Sequence, residues 1–276
     1  MLKQYKKVGG AIALSLMVAA ANAGVTPAEA DKIGKSLTPM GAEKAGNGGE
    51  ITAWDGGLTT PPAGYKPGDK HVDPFAADKI KYTITSANYK EYADKLSDGQ
   101  KAMFEKYPDT YRMPVYQTHR SAAYPQEIYA STKKNATDTT LVEGGNGLNN
   151  FVNGVPFPIP ATGIEAIWNH IVRYRGGSVS RVVGQATPQA NGAYSLVRFK
   201  DEFTFRNKLK DFDPSKDKNV LFYFKQDVVS PARLAGNVLL VHETLDQVKE
   251  PRKAWIYNAG QRRVRRAPQV AYDGPG

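Results

Sequence analysis

The stretch NGAYSLVRFKDEFTF, residues 191–205, decides the fold class. Asn191-Gly192 is a hairpin-turn dipeptide, and the residues after it alternate. Val197, Phe199, Phe203 and Phe205 fall on one face of an extended chain, with Arg198, Lys200 and Glu202 on the other. A period of two marks a strand with one dry and one wet face. Upstream, 178–186 reads as the strand that enters the turn. Downstream, NVLFYFKQDVV (219–229) and GNVLLVHETL (236–245) are apolar on both faces, through Phe222 and Phe224 on one side of the first and Leu221 and Tyr223 on the other. In an antiparallel sheet such strands need cover on both sides. A helix is one candidate cover and a ligand is the other.

The meander ends in RKAWIYNAGQRRVRR, residues 252–266. Basic residues interleaved with aromatics can mark a nucleic-acid surface. Here they also fit a hairpin: strand 253–257, turn 258–261, and a strand returning from Arg262. Trp255 and Tyr257 then share one face, while Arg263 and Arg265 share a face of the partner strand, with Arg266 beside them. Two readings of the arginines remain, a solvated rim that blunts a sheet edge and a site for an anionic partner or head group.

Before the strands, the period is 3.6. ATGIEAIWNHIVRYRGG (161–177) opens on a capping box, Thr162 with Glu165, and its pattern predicts a helix running to Gly176-Gly177. Ile164, Ile167, Trp168, Ile171 and Val172 form its apolar stripe. Thr26 with Glu29 and Ser97 with Gln100 repeat the capping box, predicting helix starts there, and 125–134 opens another helix on a proline. Residues 41–74 are rich in Gly, Pro, Asp and Thr and read as an extended arm, with Trp54 as its anchor. The expected class is α+β: a curved antiparallel sheet covered by helices, over 75–276, preceded by a short helix and a loop-rich arm over 24–74.

The chain of 276 residues begins with MLKQYKKVGGAIALSLMVAAANA, three lysines before an apolar run that closes on Ala21-Asn22-Ala23. That layout predicts a secretory signal over 1–23, cleaved near Ala23-Gly24, and a periplasmic protein with a possible association with the outer membrane. Removing the three signal lysines takes the formal charge from +10 to +7. A basic exported protein meets anionic lipid and acidic partners and seldom DNA, so nucleic acid is not the expected partner. With no cysteine, the fold rests on its own core.

Catalytic patterns are weak. The four histidines, His71, His119, His170 and His242, show no metal-ligand spacing, and no metal or other cofactor is expected. His119, in YQTHRSAAY, is the one candidate for an envelope hydrolase, and a lone loop histidine is more often structural. No G-x-S-x-G elbow or Walker lysine is present, and GGNGLNN (144–150) lacks the third glycine of a dinucleotide loop. The expectation is a protein that is not an enzyme.

FEKYPDTYRMPVYQTHRSAAYPQEIYASTKKNA (104–136), GAEKAGNGGEITAWDGGLTTPPAGYKPGD (41–69) and VPFPIPATGIEAIWNHIVRYRG (155–176) resemble a bacterial family of exported proteins, domain-of-unknown-function family 1329. The W-x-Y-x-x-x-x-x-R-V-R-R pattern at 255–266 is similar to the sheet motif of LolA/LolB-type outer-membrane lipoprotein-sorting carriers, remote fold relatives of that family. The resemblance implies an unclosed half-barrel with helices plugging its mouth. Family members run past Gly276, and AYDGPG (271–276) follows directly on a strand, so the expectation is a half-barrel incomplete at its C-terminal end. No particular arginine matches the one those carriers use in lipid handover.

Three functions follow as expectations. The first is a carrier or chaperone for a lipid or hydrophobic small molecule, serving lipid or lipoprotein sorting or an envelope exporter. Its cavity candidates are Trp168, Phe199, Phe203, Phe205, Phe222, Phe224, Trp255 and Tyr257, and the alternative for the same aromatics is ordinary core. The second is an adaptor of an envelope transport complex or outer-membrane component, using the arm and the basic hairpin. The third is the hydrolase.

Overall fold

The computed structural model describes residues 24–213, 215–216 and 219–267; the expected signal at 1–23 and the AYDGPG end lie outside the described residues. In chain order come α1 (Pro27–Ala30), β1 (Tyr82–Ile84), a 3-10 helix (Tyr89–Lys95), α2 (Asp98–Lys106) and β2 (Met113–Val115). Then follow α3 (Gln126–Asp138), the short pair β3 (Thr140–Leu141) and β4 (Leu148–Asn149), and α4 (Gly163–Ile171). The strands β5 (Ser178–Pro188), β6 (Tyr194–Phe205), β7 (Val220–Ser230), β8 (Val238–Thr244), β9 (Lys253–Asn258) and β10 (Arg263–Arg266) complete the order. The class is α+β. Among the described residues no helix is long and apolar enough to cross a membrane.

The chain divides into two compact units. One comprises 36–38 and 43–125, and its core is Ile84, Tyr89, Leu96 and Phe104. Phe104, on α2, is fully buried, with the rings of Tyr89 and Tyr111 at 5.5 and 4.7 Å. The Gly/Pro-rich arm belongs here and is no separate appendage. Trp54 Nε1 donates to the Ala122 carbonyl at 3.0 Å, so the anchor expected of Trp54 is real. Arg120 adds a second tie, its guanidinium donating to the carbonyls of Glu43, Lys44, Ala45 and Thr52. Since these bonds hold the arm to residues near 120, the boundary lies at Pro125/Gln126 and not near residue 74.

The other unit comprises 24–35, 39–42 and the described residues from 126 onward. Its sheet is a six-stranded antiparallel meander ordered β10-β9-β8-β7-β6-β5, and among the described residues it does not close: β5 and β10 are both edges. The β5–β6 hairpin turns where expected, with Gly192 at φ +82° and Gln189 N–H donating to the Ala193 carbonyl at 2.8 Å. Only a residue without Cβ takes that φ at no steric cost.

α4 starts at its predicted capping box but ends at Ile171, short of the glycines. The basic residues that follow take the last carbonyls. Arg173 Nη1 donates to His170 O at 2.8 Å and Arg175 Nη2 reaches Ile171 O at 3.5 Å, which ends the helix early. Its stripe is only partly used: Trp168 and Val172 are buried, whereas Ile164 and Ile167 are exposed. Trp168 Nε1 donates to the Gly145 carbonyl at 2.9 Å, and the ring packs with Leu148, Phe151, Phe157, Phe205 and Leu221. Burying an aromatic or branched side chain of this kind contributes about 1.5–3 kcal/mol. This cluster covers one end of one sheet face.

Candidate ligand cavity on the sheet

Cross-strand register assigns every side chain of the meander to a face. Val183 pairs with Phe199 and Phe199 with Val228; Arg181 pairs with Asp201, Asp201 with Gln226, Gln226 with Leu239, and Leu239 with Ile256. The next row is Phe203, Phe224, Val241 and Ala254, and then come Phe205, Phe222 and Glu243. Directly opposed residues of an antiparallel pair lie on the same face. Where α4 stops covering these rows, a half-open cavity of about 940 Å³ remains, floored by Phe199, Phe203, Phe222, Phe224, Leu239 and Ile256.

Two acids lie in this apolar floor. Asp201, 2% exposed, accepts from Arg181 Nε and from Gln226 Nε2, both at 3.1 Å. Glu243, 5% exposed, accepts from Arg252 Nη2 at 2.6 Å and from Gln247 Nε2 at 3.0 Å. A buried carboxylate is tolerable when paired and hydrogen-bonded, and both are. A third guanidinium on the wall, Arg175, has no carboxylate partner among the described residues. It lies over the Phe203 ring, 5.5 Å from its centroid. Desolvation, and then the like charges of Arg173 and Arg181, hold its pKa below the usual arginine value.

The expected cavity aromatics divide by place. Phe199, Phe203, Phe222 and Phe224 line the cavity, and Phe203 also packs into the covered end. Phe205 and Trp168 belong to the closed core beside it. Trp255 and Tyr257 are on the opposite face, because Trp255 pairs with Leu240 while Ile256 pairs with the cavity residue Leu239. On that face Trp255 meets His242 edge-on at 4.8 Å, and His242 meets Tyr223 at 4.7 Å. Lys225 there bridges Glu202 at 3.2 Å and Asp227 at 3.0 Å. Arg263, Arg265 and Arg266 are all exposed on the edge strand β10, away from the cavity.

Sequence reasoning missed Asp201, Glu243, Arg181, Arg252 and Arg175. Parity alone puts Asp201 with Phe199 and Phe203, and Glu243 with Leu239 and Val241. The distant partners that make those acids permissible become visible only in the register.

In the other unit, His119 Nε2 lies 2.6 Å from Asp78 Oδ2 and its ring stacks on Phe75 at 3.9 Å and 4°. A cavity of about 210 Å³ adjoins it, with Asp55 and Ser121 in its wall. Stacking on Phe75 and the contact with the Asp78 carboxylate pin the 75–78 turn and account for the histidine. Among the described residues no three His, Asp or Glu side chains gather at metal-binding range.

A Pseudomonas aeruginosa protein named "Uncharacterized protein PA3922" is 62% identical to the chain over 268 residues. The match covers 97% of this chain and 59% of that protein, so the chain spans less than two thirds of its relative's length. No solved structure matches the chain. The profile of the family described as "Protein of unknown function (DUF1329)" matches residues 83–276, which takes in β1 from its second residue, α2–α4 and the whole described meander, and the chain belongs to that family.

Proposed function

We propose that this protein is a non-enzymatic periplasmic carrier or chaperone that shelters a lipid or lipid-like hydrophobic molecule against the open part of its sheet, in the manner of a LolA-type half-barrel. The observation that carries the reading is the partly covered face: an aromatic floor under a cavity of about 940 Å³ that none of the described residues fills. Ligand sites commonly measure about 300–1,000 Å³ and are mostly apolar with a few polar groups, which fits these walls. Each acyl methylene buried there contributes about 0.8 kcal/mol, so partial shelter suffices for useful binding. The N-terminal pattern of lysines, apolar run and small residues supports the periplasmic setting.

Solvent extraction and mass analysis of the protein purified from its native envelope tests the reading. The expected result is a lipid or hydrophobic metabolite near one per chain, absent from a Leu239→Asp variant whose circular dichroism is unchanged. Leu239 is the better probe than Phe203, because Phe203 belongs to the core. A folded protein that carries nothing would overturn the carrier reading. The adaptor reading would then lead, supported by the exposed RVRR edge of β10 as a surface for an envelope exporter or outer-membrane partner.

A further inference from the structure

We propose that the molecule held in this cavity is an anionic amphiphile, with its acid group bound between Arg175 and Arg181. This inference rests on the carrier reading and adds the chemical class of the cargo.

The cavity wall carries three guanidinium groups, of Arg175, Arg181 and Arg252, and two carboxylates, of Asp201 and Glu243. Arg252 is committed to Glu243 through both Nε and Nη2. Arg181 gives Asp201 only its Nε, and its side chain stays 60% exposed, so its two terminal nitrogens are free to take another acceptor. Arg175 spends one long bond on Ile171 O and rests over Phe203, a ring that keeps its planar fork in place. Among the described residues no carboxylate pairs with it. Burial first, and then the like charges of Arg173 and Arg181, disfavour its protonated form.

Two like-charged forks beside an aromatic floor are under electrostatic stress that an anion relieves. Guanidinium groups present donors in the geometry of a carboxylate or phosphate. A neutral lipid would leave that stress in place, and a cationic one would add to it. A free inorganic anion would satisfy the forks but leave the aromatic floor wet. An acidic head on a hydrocarbon tail answers both features.

The test compares cis-parinaric acid with its methyl ester, by fluorescence, on the full chain at about pH 8, where the carboxyl group is ionised. The acid is expected to bind about tenfold more tightly than the ester, with the difference shrinking as salt is added. Arg175→Gln should remove most of the preference, with Arg181 keeping the rest, and leave the ester unchanged, while Arg175→Lys should keep more of it. Dodecanoate or dodecyl phosphate, but not dodecanol, should displace the bound acid, and with the tails matched their relative potency separates a carboxylate head from a phosphate head. Equal binding of acid and ester to the wild-type chain would overturn the inference and leave the carrier reading standing. A preference undiminished in Arg175→Gln would overturn the assignment to Arg175. Binding of neither probe would overturn the carrier reading and the inference with it.

Discussion

Glu243 and Arg252 meet on the cavity wall with only 6% and 16% of their side chains exposed. Removing Glu243 takes from Arg252 the carboxylate that compensates its enclosed charge, a loss on the order of 3–5 kcal/mol. Glu243→Ala should therefore lower the urea midpoint sharply, with Glu243→Gln falling between it and wild type. A loss under about 1 kcal/mol would show that water already reaches the pair. Asp201 is a milder case, since solvent screens its more exposed partner. His242, on the opposite face, titrates against the fold. Burial, and then the charge of Lys253, depress its pKa below the usual 6.5. The unfolded imidazole binds a proton near pH 6.5 that the folded one accepts only at lower pH. The stability it contributes is thus present above that value and is lost as pH falls through the folded pKa. The melting temperature should drop on acidification from about pH 7 to about pH 5. His242→Gln should flatten that drop, and an unaltered slope in the variant would assign it to other groups.

At the scale of elements, what was local was legible. All three capping boxes form as their spacing predicts, Thr26 with Glu29, Ser97 with Gln100 and Thr162 with Glu165. Thr162→Ala should cost about 1 kcal/mol of stability by chemical denaturation, since it frees an amide at the start of the helix that carries Trp168. No change on that substitution would mean that Glu165, which also accepts from the Ala161 N–H, holds the end of the helix unaided. The period-two pattern likewise located each strand of the meander, because alternation needs no knowledge of neighbours. What it could not supply was the face that β9 presents. Trp255 and Tyr257 are the larger rings and attracted the cavity reading, yet pairing with β8 turns Ile256 to the cavity. Register is a property of two strands and a turn, and a shift of one residue reverses every side chain. The early end of α4 was hidden for a similar reason: the pattern continues to Val172, but arginine side chains claim the carbonyls a further turn would use.

For the whole molecule, composition separated the loop-rich N-terminal region from the sheet but misjudged how far that region extends. The bonds that gather 43–125 into one unit join Trp54 to Ala122 and Arg120 to Glu43, pairs 68 and 77 residues apart. No window of sequence brings such partners together. The class, by contrast, followed from a single change of period near residue 177, and it holds. One consequence remains in the row from Arg181 through Asp201, Gln226 and Leu239 to Ile256. It runs across the strands, and neighbouring strands are about 4.8 Å apart, so the step from β5 to β9 spans about 19 Å. The floor is in this sense a ruler graduated in strands, with the cationic mark at one end. On the carrier reading proposed above, the length of tail the floor would accommodate is set by how many strands lie side by side, and no single side chain can lengthen it.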